Sequence, residues 1–180
     1  MAGTRHDAAA GPRRTGPDGA STAGPDITAP DITGALVATI GLSGIDHVGV
    51  AVADLDEAIE FYQRVFGMRC IHVEENPEQG VREAMMSVGP DPAGGCVQLL
   101  APLTPGSTIA RFLDRSGPGI QQVAYTVTDL ATASEKLRSR GVRLLYPVPR
   151  RGTAGSRVNF IHPRDAGGVL VELVEPAADG

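Results

Sequence analysis

The sequence IDHVGVAVADL at residues 45–55 returns as IQQVAYTVTDL at residues 120–130. Apolar residues alternate with polar or small residues in the same register in both copies, and each copy closes on Asp-Leu. Alternation with a period of two predicts a half-buried β-strand. Because the strand is duplicated, the sequence predicts two copies of one structural unit that bury a common core.

Each copy leads into a predicted helix and then into three predicted strands. Asp54 and Asp129 stand where helix N-caps are expected, and Gly67 and Gly141 stand where the helices end. The strand-like runs occupy residues 69–73, 81–88 and 96–100, and then 143–146, 157–161 and 169–174. The sequence therefore predicts an α+β protein with two βαβββ modules whose free sheet faces line one shared cleft. Two independent units without a cleft are disfavoured, because a module of about 60 residues buries too little surface alone.

The modules define the expected domain organisation. Residues 1–34 are rich in Gly, Pro, Ala, Thr and Asp without periodicity, which predicts a disordered tail. The domain is expected over residues 44–176, with the first module at 44–103, a linker at 104–117 and the second module at 118–176. A short helix is expected within the linker, around residues 108–114. The run 35–42 is compatible with an added strand or with packing on a partner.

Composition limits the classes of partner. The formal charge is −5 and 42% of the residues are hydrophobic, so neither nucleic acid nor an anionic membrane is an expected partner. No apolar run approaches the roughly 20 residues of a membrane span. Cys70 and Cys96 both lie in apolar runs and are expected to be buried thiols. With no signal or transit peptide pattern, the chain is expected in the cytoplasm.

Four polar side chains occupy repeat-related positions on the predicted strands. His47 and Gln122 are equivalent positions in the duplicated strand, and Gln98 and Glu172 are equivalent in the last strand of each module. All four alternate with apolar neighbours, so they are predicted to point to the sheet face away from the helices. One imidazole, one carboxylate and two amide oxygens suit a divalent cation such as Co²⁺, Mn²⁺, Mg²⁺ or Zn²⁺.

Glu83 lies on a strand predicted to line the same cleft, where a carboxylate near a bound substrate is a candidate general base. The competing interpretation is a solvated strand carboxylate. His72 and His162 are expected to be structural or surface residues. Cys96 has no neighbouring base in the sequence pattern, so a nucleophilic role is not expected.

These segments resemble the methylmalonyl-CoA epimerases of the vicinal oxygen chelate superfamily over about residues 44–176. The resemblance is carried by IDHV at 45–48, by EENPEQGVRE at 74–83, and by VQLLAPL at 97–103. It continues through GT at 152–153, SR at 156–157, NFIHP at 159–163 and GVLVEL at 168–173. The stretch leading to Glu83 is the most specific of these.

The resemblance implies a metal-containing cleft between the modules and reversible inversion of (2R)- and (2S)-methylmalonyl-CoA. It implies His47, Gln98, Gln122 and Glu172 as metal ligands, with Co²⁺ the ion expected first. Gln122 departs from the family pattern, which has a His there. The proton at C2 is expected to be exchanged by Glu83 on one face and by Glu172 on the other. A homodimer is also implied.

Other functions remain open on the sequence alone. Arg151 and Arg157 are candidates for binding the phosphates of the acyl-CoA substrate. A glyoxalase I-like lyase of the same superfamily would use similar enolate chemistry, and an extradiol dioxygenase would need a two-His, one-carboxylate iron set that the four positions lack. A non-catalytic antibiotic-binding resistance protein would need no metal ligands.

Overall fold

The structure is a computed structural model that describes residues 40–89 and 94–178. The predicted disordered tail at residues 1–34 lies outside the described residues, as does most of the run 35–42. No helix within the described part of the chain is long and apolar enough to cross a membrane.

Eight strands form one mixed sheet in the order β2-β3-β4-β1-β5-β8-β7-β6. The strands are β1 (Leu42–Ala51), β2 (Arg69–Asn76), β3 (Val81–Ser87), β4 (Cys96–Pro102), β5 (Gly119–Val127), β6 (Arg150–Arg151), β7 (Arg157–Ile161) and β8 (Val171–Glu175). The helices are α1 (Leu55–Phe66), α2 (Thr108–Ser116) and α3 (Leu130–Ser139), with single 3₁₀ turns at Thr153–Gly155 and Pro163–Asp165.

The duplicated strands are the centre of this sheet. β1 and β5 pair antiparallel, with His47 opposite Ala124 and Gly49 opposite Gln122. On the outer side, β4 runs parallel to β1 and β8 runs parallel to β5. The two halves of the chain therefore contribute four strands each in the same relative order, and the α+β prediction is confirmed.

Helices α1 and α3 begin where the sequence predicts, because an aspartate caps each of them. The Asp54 carboxylate accepts hydrogen bonds from the first backbone N–H groups of α1, and Asp129 does the same for α3. α1 ends at Gly67, whose φ of 66° lies in the left-handed region. α2 starts at the predicted position behind the Ser107 cap, but runs to Ser116 rather than residue 114.

Helices α1 and α3 cover one face of the sheet. Leu55 of α1 packs with Ala84, Met86 and Leu99, and Leu130 of α3 packs with an equivalent set on the second half. The opposite face carries a smaller apolar cluster in which Ile109 of α2 contacts β1, β3 and β4. The middle of that inner face is left to polar side chains.

The predicted strand at residues 143–146 is wrong. Only Leu144 forms a bridge, to Ile161, and the short β6 lies further along the chain. The prolines at 147 and 149 cannot donate to a ladder, so a regular strand cannot continue here. The buried Asn159 side chain replaces the missing ladder: it donates to the carbonyl of Tyr146 (3.0 Å) and accepts from its N–H (3.3 Å).

The first and last strands of the sheet meet, so the sheet curls around its inner face. Asn76 and Gln79, at the end of β2, both donate to the carbonyl of Arg151 in β6. The N–H of Ala154 donates to the carboxylate of Glu74 in β2 at 3.2 Å. These contacts hold the segment 151–155 against β2, beside the polar residues of the inner face.

Candidate active site

The four repeat-related polar residues lie on the four central strands and are all buried. His47 is on β1, Gln98 on β4, Gln122 on β5 and Glu172 on β8. Their strand positions alternate with residues that pack under α1 and α3, so their side chains point to the inner face. The structure thus brings together the residues that the repeat analysis selected.

The side chains of this polar cluster converge on one point. The amide nitrogen of Gln122 lies 3.3 Å from Oε1 of Gln98 and 3.5 Å from Nε2 of His47, and it donates to Oε2 of Glu172. Nε2 of His47 is also 3.3 Å from that carboxylate oxygen. Polar groups of Gln98, His47 and Glu172, from both halves of the chain, therefore surround the nitrogen of Gln122.

His47 is held in place from behind by Asp46. Nδ1 of His47 lies 2.8 Å from Oδ1 of Asp46, and the hydroxyl of Thr126 donates to the other oxygen at 2.9 Å. Burial alone would lower the pKa of His47, but the contacts with Asp46 and Glu172 outweigh it and raise the pKa to about 9. A carboxylate on Nδ1 orients the ring so that Nε2 faces the centre of the cluster, as in many metal-binding histidines.

The orientation of the Gln98 amide is determined by its neighbours. Its nitrogen donates to Oε2 of Glu83 at 3.0 Å and to the hydroxyl of Thr153 at 2.8 Å. Thr153 in turn donates to Oε1 of Glu83 at 2.9 Å. Because both amide hydrogens are used on this side, the amide oxygen of Gln98 must face the other side, toward His47 and Glu172.

Glu83 is buried, as expected for a residue that lines the cleft. Burial raises its pKa to about 7, and the nearby carboxylates of Glu74 and Glu172 act in the same direction. The hydrogen bond from Thr153 opposes this shift. A carboxyl group with a pKa near neutrality can both accept and return a proton at physiological pH, as a general base requires.

Two cavities open on the polar cluster. A smaller one, of about 70 Å³, is lined by Glu83, Gln98, Gln122 and Glu172, with Thr153 and apolar residues of α2 and the second half around them. A larger one, of about 270 Å³, reaches His47 and Glu172 and is mainly apolar. A small molecule in the first cavity would contact both Glu83 and Glu172.

The donor set fits a divalent cation held mainly by oxygen. Nε2 of His47, Oε1 of Gln98 and a carboxylate oxygen of Glu172 already face one point. Gln122 would join them through Oε1 after a half-turn of its amide group, which exchanges the positions of the oxygen and the nitrogen. Heavy-atom positions alone do not distinguish these two orientations. No group of three His, Cys, Asp or Glu side chains suited to a metal occurs among residues 40–89 and 94–178, so such a site would depend on the two amides.

Gly49 gives the Gln122 side chain its space. A Cβ atom at Gly49 would lie 2.7 Å from Cγ of Gln122, closer than side chains tolerate. The small residue in the first copy of the repeat therefore accommodates the long side chain in the second copy.

The other predicted residues lie around the cluster rather than in it. Arg157 pairs with Glu175 at 3.0 Å, and Nη2 of Arg151 lies 3.9 Å from Glu74. His162 accepts a hydrogen bond from the N–H of Arg164. Burial raises the pKa of the Cys96 thiol. The partly exposed His72 pairs with Glu74.

Sequence reasoning missed the roles of Asp46 and Thr153. Asp46 precedes His47 and is signalled only by that adjacency, since alternation places it on the other face of a regular strand. A register shift between residues 45 and 47 turns it toward the ring. Thr153 belongs to a segment that carried the family resemblance, but nothing in its local pattern indicates a contact with Glu83, 70 residues away.

Comparison with known proteins identifies relatives that share this fold. The model of the glyoxalase/bleomycin resistance protein/dioxygenase superfamily matches residues 44–173. The crystal structure of methylmalonyl-CoA epimerase from Mycobacterium tuberculosis is 58% identical, with a TM-score of 0.72 over 76% of this chain and 89% of that one. A variant of the Streptomyces coelicolor epimerase, in complex with 2-nitronate-propionyl-CoA, is 43% identical, with a TM-score of 0.72 over 77% of this chain and 100% of that one.

A curated relative gives the same result from sequence. The ethylmalonyl-CoA/methylmalonyl-CoA epimerase of Cereibacter sphaeroides is 35% identical over 131 residues, which are 72% of this chain and 95% of the relative. The match spans nearly the whole of that enzyme. The chain belongs to the glyoxalase superfamily and, within it, to the methylmalonyl-CoA epimerase family.

Proposed function

We propose that the chain interconverts (2R)- and (2S)-methylmalonyl-CoA by removing the proton at C2 and returning one on the opposite face. The observation that carries this proposal is the placement of two buried carboxylates, Glu83 and Glu172, on the wall of one cavity. Inversion at a carbon next to a carbonyl requires a proton acceptor on one face and a proton donor on the other. Each carboxylate serves one face.

Glu83 is proposed as the base for one epimer. Its carboxylate accepts hydrogen bonds from Gln98 and Thr153, which fix its two oxygens. Because burial raises its pKa to about 7, both the ionised and the protonated form of Glu83 are populated near neutral pH. Glu172 is proposed to serve the other epimer and also to belong to the cation site.

The cation site is proposed to consist of His47, Gln98, Gln122 and Glu172. Enzymes of the glyoxalase superfamily generally use a divalent metal, and Co²⁺ is the ion that we expect first here, with Mn²⁺, Mg²⁺ or Zn²⁺ as alternatives. When bound, the cation would supply Lewis-acid stabilisation of the negative charge that develops on the thioester oxygen. The residues themselves orient the substrate, exclude water and exchange the proton.

The test is ¹H NMR of each methylmalonyl-CoA epimer in ²H₂O with the purified protein. We expect epimerisation with deuterium entering C2, and we expect Glu83→Gln to lower the exchange by at least about 100-fold for one epimer. Glu75→Gln, at an exposed position on the adjacent strand β2, is the matched control. Unimpaired exchange from both epimers in Glu83→Gln would exclude Glu83 as a base.

Metal dependence needs its own measurement. Elemental analysis of protein purified without added metal, with and without chelator treatment, should give a divalent metal at a stoichiometry near one that the chelator removes. His47→Ala should lower the retained metal, because it removes the only nitrogen ligand proposed. Full metal retention in that variant would contradict the ligand assignment even if activity were lost.

We propose a homodimer, which would cover exposed apolar residues of the central strands such as Ile45 and Ile120. A monomer mass in light scattering would contradict it.

Both cysteines are free thiols, as is usual in the cytoplasm, where we place the enzyme. Arg151 and Arg157, both partly exposed, are proposed to contact the CoA phosphates.

A further inference from the structure

Three ionisable side chains form a line from the buried Glu83 to the protein surface. Glu83 on β3 and Glu74 on β2 are directly opposite each other in the strand register, so their side chains share the inner face. His72 lies two residues before Glu74 on the same strand and extends the line outward. Exposure rises along it: Glu83 is 2% exposed, the Glu74 side chain 15% and the His72 side chain 37%.

The contacts along this line are those of a hydrogen-bonded chain. Nε2 of His72 lies 2.7 Å from Oε2 of Glu74. The other oxygen of Glu74 is buried and accepts no hydrogen bond from a fixed donor among the described residues. Because Glu74 and Glu83 are cross-strand neighbours on the same face, their carboxyl groups can share a hydrogen bond when one of them carries a proton. Glu74 thus connects the buried carboxyl group to an imidazole in contact with solvent.

Inversion creates a need for such a connection. After one turnover Glu83 has gained a proton and the carboxyl group on the opposite face has lost one, so the enzyme is in the wrong protonation state to repeat the same reaction. Glu83 is almost fully buried, and a substrate in the adjoining cavity would separate it from water on that side. The proton therefore needs another way out.

We propose that Glu74 and His72 relay protons between Glu83 and bulk water and so reset the base between turnovers. This inference rests on the proposed role of Glu83. In the outward direction, the proton leaves the carboxyl oxygen of Glu83 for Oε1 of Glu74. Glu74, which carries a proton on Oε2 at that moment, passes that proton to Nε2 of His72 in its Nδ1–H tautomer, and Nδ1 releases its own proton to water. No other reactant is required.

The experiment must distinguish the relay from a purely structural role of Glu74. Glu74 also accepts from the N–H of Ala154, a residue with a φ of 53°, and lies near Arg151. Replacing Glu74 would therefore disturb the 151–155 segment as well as the relay. His72 has no hydrogen bond to that segment among the described contacts, and His72→Gln keeps a donor for Glu74 but cannot carry a proton.

The experiment follows each epimer separately in ²H₂O with wild type, His72→Gln and Glu74→Gln, at early conversion. Deuterium at C2 is measured in both the product and the recovered substrate. For the epimer whose proton goes to Glu83, we expect the deuterium content of recovered substrate to fall about tenfold in His72→Gln, because the original proton returns before it is exchanged. The opposite epimer should return substrate with unchanged deuterium content. Glu75→Gln should match wild type for both.

Imidazole buffer at constant pH and ionic strength provides the second readout. It should restore exchange in His72→Gln and leave wild type unchanged, because a small proton carrier can replace the missing relay group. Equal deuterium contents in His72→Gln and wild type would overturn the relay and leave Glu83 as base. Loss of activity that imidazole does not restore would also overturn it, since that indicates a structural role. Absence of exchange in wild type from either epimer would instead overturn the proposed function.

Discussion

At the scale of single residues, the site depends on how amide and hydroxyl groups orient the charged ones. Gln98 contributes its nitrogen to Glu83 and Thr153, which turns its oxygen toward His47. The Thr153 hydroxyl accepts from Gln98 and donates to Glu83, so it links the proposed base to the proposed cation site. Each donor of Gln98 and Thr153 in this buried network has an acceptor. The network therefore favours one arrangement of these side chains.

Thr153→Val tests this link, because valine keeps the shape and removes the hydroxyl. We expect kcat to fall by about 10- to 100-fold, since Glu83 loses a hydrogen bond that fixes one oxygen and Gln98 loses an acceptor. Thr153→Ser retains the hydroxyl and should stay within about threefold of wild type. Steady-state kinetics on both variants makes the comparison, and equal activity of Thr153→Val and wild type would exclude the link.

The raised pKa of Glu83 gives a pH dependence with a definite sign. Only the ionised carboxylate can remove a proton, and burial raises its pKa to about 7. For the epimer that uses Glu83, kcat/KM should therefore fall about tenfold for each pH unit below pH 7. A pH profile flat down to pH 5, near the ordinary range of a glutamate, would contradict the assignment of Glu83 as the base.

At the scale of elements, the antiparallel pair of β1 and β5 brings the two halves of the site together. Gly49 lies opposite Gln122 in the register and leaves the space that the Gln122 side chain fills. The same pair sets His47 beside Ala124, a residue small enough to leave the imidazole in the centre of the inner face. Residue size on these two strands thus controls where the functional side chains meet.

Gly49→Ala should damage the site more than the fold. The added methyl group would lie 2.7 Å from Cγ of Gln122 and force that side chain out of position. We expect an unfolding free energy lower by about 1–3 kcal/mol and a loss of metal retention. Gly44→Ala on the same strand is the control, because nothing lies within 4 Å of the position that its added methyl group would take. Urea unfolding and elemental analysis of both variants provide the measurements; equal metal retention would count against the role of Gln122.

The sequence predicts the repeated elements better than their exceptions. Period-two alternation identified β1, β5, the three strands after α1 and the last two strands of the second half, because burial on one face imposes that pattern locally. It failed at residues 143–146, where the apolar run reflects packing but the prolines at 147 and 149 prevent a ladder and Asn159 supplies the missing hydrogen bonds. Here a side chain takes the place of a neighbouring strand as the hydrogen-bond partner. The contact joins Tyr146 and Asn159, which are 13 residues apart in the sequence.

At the scale of the whole molecule, duplication explains how a modest set of side chains becomes a site. Each half places one pair of polar residues on its inner face, and neither pair alone has enough ligands for a divalent cation. The sequence identified these four residues because equivalent positions carried polar side chains. It did not identify Asp46, Thr153 or the Glu74–His72 pair, whose contacts depend on a local register shift or on the curling that joins β2 to the 151–155 segment.

The most direct test of a cation site shared by the two halves is a crystal structure of the protein with Co²⁺, with anomalous scattering used to locate the metal. We expect one strong peak within about 2.0–2.3 Å of Nε2 of His47 and of oxygens from Gln98, Gln122 and Glu172. A peak bound by residues of only one half, or no peak at the inner face of a protein that epimerises the substrate, would contradict the account.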